Sequence, residues 1–339
     1  MTTACANKID RFTIDKVLDR ATDHPDVDMV CGLGRSLTHP LGALPAHEPE
    51  RSMVVSEGVA GLCAQLDAWE AELDEVRAKE NLSALGAARA AEVIDAGLRR
   101  ERANALAAAR FERSWQHLLR AWPSGDGSCP RVKEKDEFVY MFGNFMGMLA
   151  LLHDRSGGGL QGIPLDRPLE VARASTCLEE GSWWGALDAL EAAAWATIPG
   201  SGPEGVDPWE RLEQVAVEGE ATGVRVARAV QVLIAANAGR QEIVEGGIRA
   251  FAEASPDLEG DWLLLDAYGQ LVVQHQSDLV WIRERGHRTE VLGVLPSDGG
   301  ADSPSSDPFG AVDPFGATDP FGTPDDEETE TPPEEEETP

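Results

Sequence analysis

The residues of this chain best suited to chemistry do the chemistry of recognition. Asp307-Pro308-Phe309-Gly310, Asp313-Pro314-Phe315-Gly316 and Asp319-Pro320-Phe321-Gly322 repeat every six residues. Asp and Pro shape a turn that restricts the chain before binding. The Phe ring then offers an anchor for a partner's pocket at a small cost in entropy. Three copies in register add avidity through effective concentration. The plainer reading is a neutral low-complexity expansion. Covalent catalysis finds no such pattern, since G-x-S-x-G, Walker, H-E-x-x-H and EF-hand motifs are all missing. Gly157, Gly159 and Gly162 match a dinucleotide fingerprint in letters only. A helical pattern precedes them and Pro164 follows where a phosphate-binding helix would start. The seven His are scattered, and Cys5, Cys31, Cys63, Cys129 and Cys177 show neither C-x-x-C nor zinc spacing. They read as free structural thiols. The expectation is a non-enzyme with no cofactor and no metal.

Charge narrows the partners. The 339 residues carry a formal −31, and the stretch from 296 onward holds 14 of the 60 acidic residues and none of the 29 basic ones. The rest of the chain is therefore 46 acidic against 29 basic, a formal −17. Such a chain repels phosphate backbones, so nucleic acid is not an expected partner. No apolar run approaches the ~20 residues that span a bilayer. The acid-rich N-terminus, with Asp10, Asp15, Asp19, Asp23, Asp26 and Asp28, reads as neither a transit peptide nor a secretory signal. On this evidence alone the chain reads as cytoplasmic.

The elements that would position these groups read as mainly α. Residues 1–55 look irregular, with a short helix at 14–18 and a linker around Pro40, Pro45 and Pro49. Residues 56–122 form a long helical region. Leu62, Leu66, Trp69, Leu73 and Val76 make a seam of about two heptads, and Leu98, Leu106, Phe111, Leu118 and Leu119 continue an apolar stripe. A coiled-coil oligomer, an intramolecular bundle and an isolated helix all fit. A helix over residues 138–152 is apolar nearly all round. It is a buried core helix, or a partner-binding or membrane-surface helix presenting Phe138, Phe142, Phe145, Met146, Leu149 and Leu152.

Residues 134–255 read as a helical array. Asp166 and Ser182 are candidate caps, and Gly181 breaks a hairpin with Leu169, Ala172, Cys177, Leu178, Trp184, Leu187 and Leu190 as its core. Asp207-Pro208-Trp209-Glu210 has the cap, N1 proline and reach-back Glu of a helix start. Runs at 262–265, 270–274 and 279–282, with a turn at 267–269, suggest a small β element over 261–295. From 296 to 339 the composition is that of a disordered acidic tail.

Two resemblances follow. Ala172-Arg173-Ala174-Ser175, Cys177 and the Glu before Gly181, with an Ala-Leu helix behind them, resemble the C-terminal domain of the mitofilin family over about residues 134–239. This family supplies the large subunit of the mitochondrial contact-site complex. The resemblance implies a scaffold that organises inner-membrane cristae and contact sites. It further implies protein partners, self-association through the upstream helices, and peripheral membrane contact through residues 138–152. The three tail motifs look like the Asp-Pro-Phe peptides with which endocytic accessory proteins bind clathrin-adaptor appendages. They imply, as the alternative, a trafficking adaptor. A bacterial or viral structural protein is a third expectation.

Overall fold

A computed structural model describes residues 3–43, 49–85, 90–123, 128–256 and 262–298. The chain divides into two units, Met1–Asp298 and Gly299–Pro339. The tail and its three motifs lie outside the described residues. The first unit is mainly α-helical, and no strand occurs among the described residues.

In chain order the helices are α1 (Thr3–Phe12), α2 (Asp19–Thr22), α3 (Val27–Gly42), α4 (Glu50–Leu85), α5 (Ala90–Ala121) and α6 (Glu137–Ser156). Then come α7 (Arg167–Ser175), α8 (Ala186–Thr197), α9 (Pro208–Glu220), α10 (Val226–Asn237), α11 (Gln241–Glu253) and α12 (Leu263–Arg285). A π-helical turn, Thr13–Leu18, joins α1 to α2.

The centre is built from α4, α5 and α6, and small residues set how closely they approach. A Cβ on Gly61 would fall 2.5 Å from the Phe111 ring of α5, and one on Gly58 would fall 2.4 Å from Phe142 of α6. Gly147 of α6 sits equally close to Trp115. Each glycine leaves the space that an aromatic ring fills, which lets three helices share one close-packed core. Phe111, Trp115, Leu118, Met146 and Leu151 are all at most 2% exposed there.

Helices α4 and α5 run antiparallel. Glu50 pairs with Arg120 at 3.0 Å and Glu57 with Arg113 at 3.0 Å near one end. Asp74 pairs with Arg99 at 3.2 Å near the other, beside the Glu75–Arg100 pair. Ser114 donates to the Val54 carbonyl at 2.6 Å, between the first two of these pairs.

The α10–α12 end is held by a buried guanidinium. Arg225 donates to both carboxylate oxygens of Asp266, at 2.9 and 2.6 Å. It lies 4.0 Å over the Phe251 ring and also bonds the Phe251 carbonyl. A charge this deep is tolerated because each face has a partner.

Several sequence expectations change. The small β element at 261–295 is instead the single helix α12, which ends at Gly286 (φ 82°). Its apolar runs come from burial on more than one side. Leu264, Val272, Val273, Val280 and Ile282 are buried against different neighbours, so the helical period is blurred. Gly269, expected in a turn, lies inside the helix, where a Cβ would contact Ala229 and Phe251.

The region 56–122 folds back on itself as the α4–α5 hairpin, and α4 begins at Glu50, ahead of the expected boundary. The first 55 residues, expected to be irregular, contain α1, α2 and α3, with Pro40 in the last turn of α3. Four of the five cysteines expected to be free are joined in pairs, Cys31 to Cys63 and Cys129 to Cys177. Their separations of 32 and 48 residues hide both pairings from any spacing rule.

Candidate functional site

Three residues of α4 stand on one face at helical spacing: Gln65, Trp69 and Glu72. Opposite them, α12 presents Tyr268 and His275, two turns apart. The Trp69 ring lies between the two. It stacks on His275 at 4.9 Å and 12°, and on Tyr268 at 6.4 Å and 17°. A hydrogen bond closes each end of this ladder. The Tyr268 hydroxyl donates to Gln65 Oε1 at 2.7 Å, and His275 Nε2 lies 3.0 Å from Glu72 Oε2.

A carboxylate only accepts, so His275 carries its proton on Nε2 toward Glu72. Its Nδ1 is buried and has no partner. Glu72 is held below the usual carboxylate range. Burial opposes that charge, but the His275 hydrogen bond and the positive field of His275, Arg100 and Arg283 outweigh it. Burial pushes the Tyr268 phenol upward against the milder effect of its bond to Gln65.

Behind the ladder, His153 of α6 is 2.7 Å from Asn104 Oδ1 of α5. Full burial lowers His153 to about 4, so it is neutral near neutral pH.

On the outer side, Trp69 and His275 form part of a groove of about 670 Å³ bounded also by Leu66, Leu271, Glu70 and Arg288. The arrangement offers oriented polar groups on an aromatic wall, which suits binding of a polar ligand or side chain. No group of three or more potential metal ligands occurs among the described residues.

The expected site residues are distributed differently. Phe142, Met146, Leu149 and Leu152 of α6 are buried in the central core, and Phe138 and Phe145 are half-buried beside it. Of the readings open for residues 138–152, the structure shows the buried core helix and not a surface helix for a partner or membrane. Its all-round apolarity reflects burial against α4, α5 and α8 of the same chain. No described helix is long and apolar enough to cross a membrane.

In the expected hairpin, Ala172, Leu187 and Leu190 are buried, and Leu169, Leu178 and Trp184 are half-buried. Cys177 lies in the connecting turn and bonds Cys129. The first helix stops at Ser175, ahead of Gly181. Neither Asp166 nor Ser182 makes a side-chain cap bond. Asp207 does cap α9, accepting from Trp209 N at 2.7 Å and Glu210 N at 3.1 Å. The Gly157–Gly162 loop, dismissed as a nucleotide site, closes on its own anion. The Asp154 carboxylate accepts from Gln161 N and Ile163 N.

The hairpin also carries backbone strain that no pattern foretold. Trp183 (φ 54°), Trp184 (φ 58°) and Trp262 (φ 66°) are all left-handed, which costs a bulky residue roughly 1–2 kcal/mol each. Their rings meet one another and Phe138 at 4.8–5.8 Å, mostly edge to face, and that packing offsets the strain.

The ladder was missed for a specific reason. Trp69 reads as part of an apolar seam, Tyr268 as part of a turn, and His275 falls directly after a run that reads as strand. The available signal was the polar pair Gln65 and Glu72 flanking Trp69 on one helical face.

Comparison with known proteins finds no matching family model, no similar curated protein and no similar solved structure.

Proposed function

We propose that the chain is a non-enzymatic helical scaffold that acts by binding protein partners. The unit ending at Asp298 is the body, and the three Asp-Pro-Phe-Gly copies recruit the partner. The observation carrying this reading is that all three copies fall in the second unit, beyond Asp298, at a constant spacing of six residues. Their chemistry matches a multivalent anchor, because each Phe is a small apolar payload on a turn-forming frame. The test is recovery of partners by tagged full-length protein and by a Phe309→Ala/Phe315→Ala/Phe321→Ala variant. Loss of partners in the variant is expected. Unchanged recovery would remove the tail from the mechanism.

Self-association is part of the proposal. Ile94, Leu98 and Leu106 of α5 are exposed at 63%, 43% and 45%, and their spacing places them on one side of the helix. That side suits a second copy of the chain. Light scattering after size exclusion should show a dimer or larger species that Leu98→Glu dissociates.

A second reading is a mitofilin-like scaffold of cristae and contact sites. The helix order supports it. The apolar α6, the α7 that carries Ala172–Ser175 and the Ala-Leu helix α8 follow one another in the stretch that carries the resemblance. Imaging of tagged full-length protein decides it, since puncta without mitochondrial signal would exclude that role.

A further inference from the structure

Behind the Trp69 ladder, α4, α5, α6, α10, α11 and α12 line a partly open cavity of about 160 Å³ whose outer lining is the exposed turn between α10 and α11. An apolar cavity of about 150 Å³ accepts a benzene-sized molecule, so this space suits a small organic solute. Its deep wall is polar and preset. Gln65 is 1% exposed, and its Nε2 has no partner. The Tyr268 bond to Oε1 fixes the amide, so the free N–H donors have a set direction.

His153 supplies the complement. Asn104 Nδ2 donates to the Arg100 carbonyl, so its Oδ1 is free to accept from His153 Nδ1. That fixes the Nδ1–H tautomer and leaves His153 Nε2 as an acceptor. Gln65 of α4 and His153 of α6 both line the cavity, and a donor with an acceptor is the pair that a hydroxyl group requires.

The charged lining is Glu72, Arg240 and Arg283. Glu72 is engaged by His275. Arg240 lies 5.3 Å over the Trp209 ring, and neither arginine takes part in an ion pair among the described residues. In a protein of formal charge −31, a cavity with two such arginines stands apart.

We propose that this cavity binds a small carboxylate that also bears a hydroxyl group. The carboxylate faces Arg240 and Arg283, and the hydroxyl faces Gln65 Nε2 and His153 Nε2. The inference does not depend on the scaffold reading. The four groups that would hold the ligand lie on α4, α6, α12 and the turn between α10 and α11, so binding would tie these elements together.

The test is isothermal titration of full-length protein with lactate, 3-hydroxybutyrate and malate. Butyrate serves as the probe lacking the hydroxyl and 1,3-butanediol as the probe lacking the charge. At least one hydroxy acid should bind, with both controls at least tenfold weaker. Arg240→Gln/Arg283→Gln should weaken the hydroxy acid at least tenfold with an unchanged helical circular dichroism signal, because both side chains are exposed. Three results would each overturn the proposal: no binding by any of the three hydroxy acids, equal binding of the diol, or equal binding by the double variant.

Discussion

Helix α4 takes part in two seams of opposite chemistry. Toward α5 and α6 it offers Gly58 and Gly61, and aromatic rings fill the space. Toward α12 it offers Gln65, Trp69 and Glu72, and hydrogen bonds join the helices. The first seam is specified by shape, so its cost of error is steric. The second is specified by pairing, so its cost of error is an orphaned polar group. The polar seam leaves two buried atoms unpartnered, Gln65 Nε2 and His275 Nδ1, and the apolar contact of α5 with α6 leaves two of its own, Trp115 Nε1 and Asn144 Oδ1.

The largest expected break of this contrast lies in the apolar seam. Phe111→Ala removes a fully buried ring and should destabilise by about 3–5 kcal/mol in urea denaturation. Next comes an acid response where α6 meets α5, at His153, which bonds Asn104 and also meets the Phe111 ring. His153 is lowered by burial from 6.5 to about 4. Between those values the unfolded chain binds a proton that the folded chain does not. The contribution is thus complete above pH 6.5 and is lost as pH falls toward 4, up to about 3 kcal/mol. Denaturation across pH 4–7 should show this slope, and His153→Gln should flatten it. Glu72, held below its ordinary value, loses its own share in the same direction at the acid end.

Gly61→Ala places a methyl against the Phe111 ring and should cost about 2 kcal/mol by overpacking. Tyr268→Phe leaves Gln65 Oε1 unpaired and should cost about 1–2 kcal/mol. If Tyr268→Phe cost nothing, the polar seam would be shown to rest on ring stacking and the His275–Glu72 bond. Arg283→Gln should change stability by less than about 0.5 kcal/mol, since Arg283 is exposed and unpaired among the described residues.

Legibility differed between the same two seams. Helix α6 declared itself through unbroken apolarity, and α9 through Asp207 and Pro208, because helix starts are local chemistry. Helix α12 did not, because burial on several sides replaced a single apolar stripe with short runs that imitate strands. The hairpin core was legible at Ala172, Leu187 and Leu190. Its turn was not, because strained tryptophans and the Cys129 bond shape it, and both depend on distant partners. The candidate site was the least legible part, since its residues come from positions 65 to 283 and touch only after four helices pack.

The sequence by itself determined that the body is helical, where α9 begins, that the chain is strongly acidic and that the tail repeats one motif. These follow from local propensity, capping and composition. Tertiary structure alone decided that α4 and α5 fold back together, that α6 lies inside, which cysteines pair and which polar groups meet Trp69. Those outcomes rest on contacts between residues far apart in the chain, and no local rule encodes which surfaces will meet.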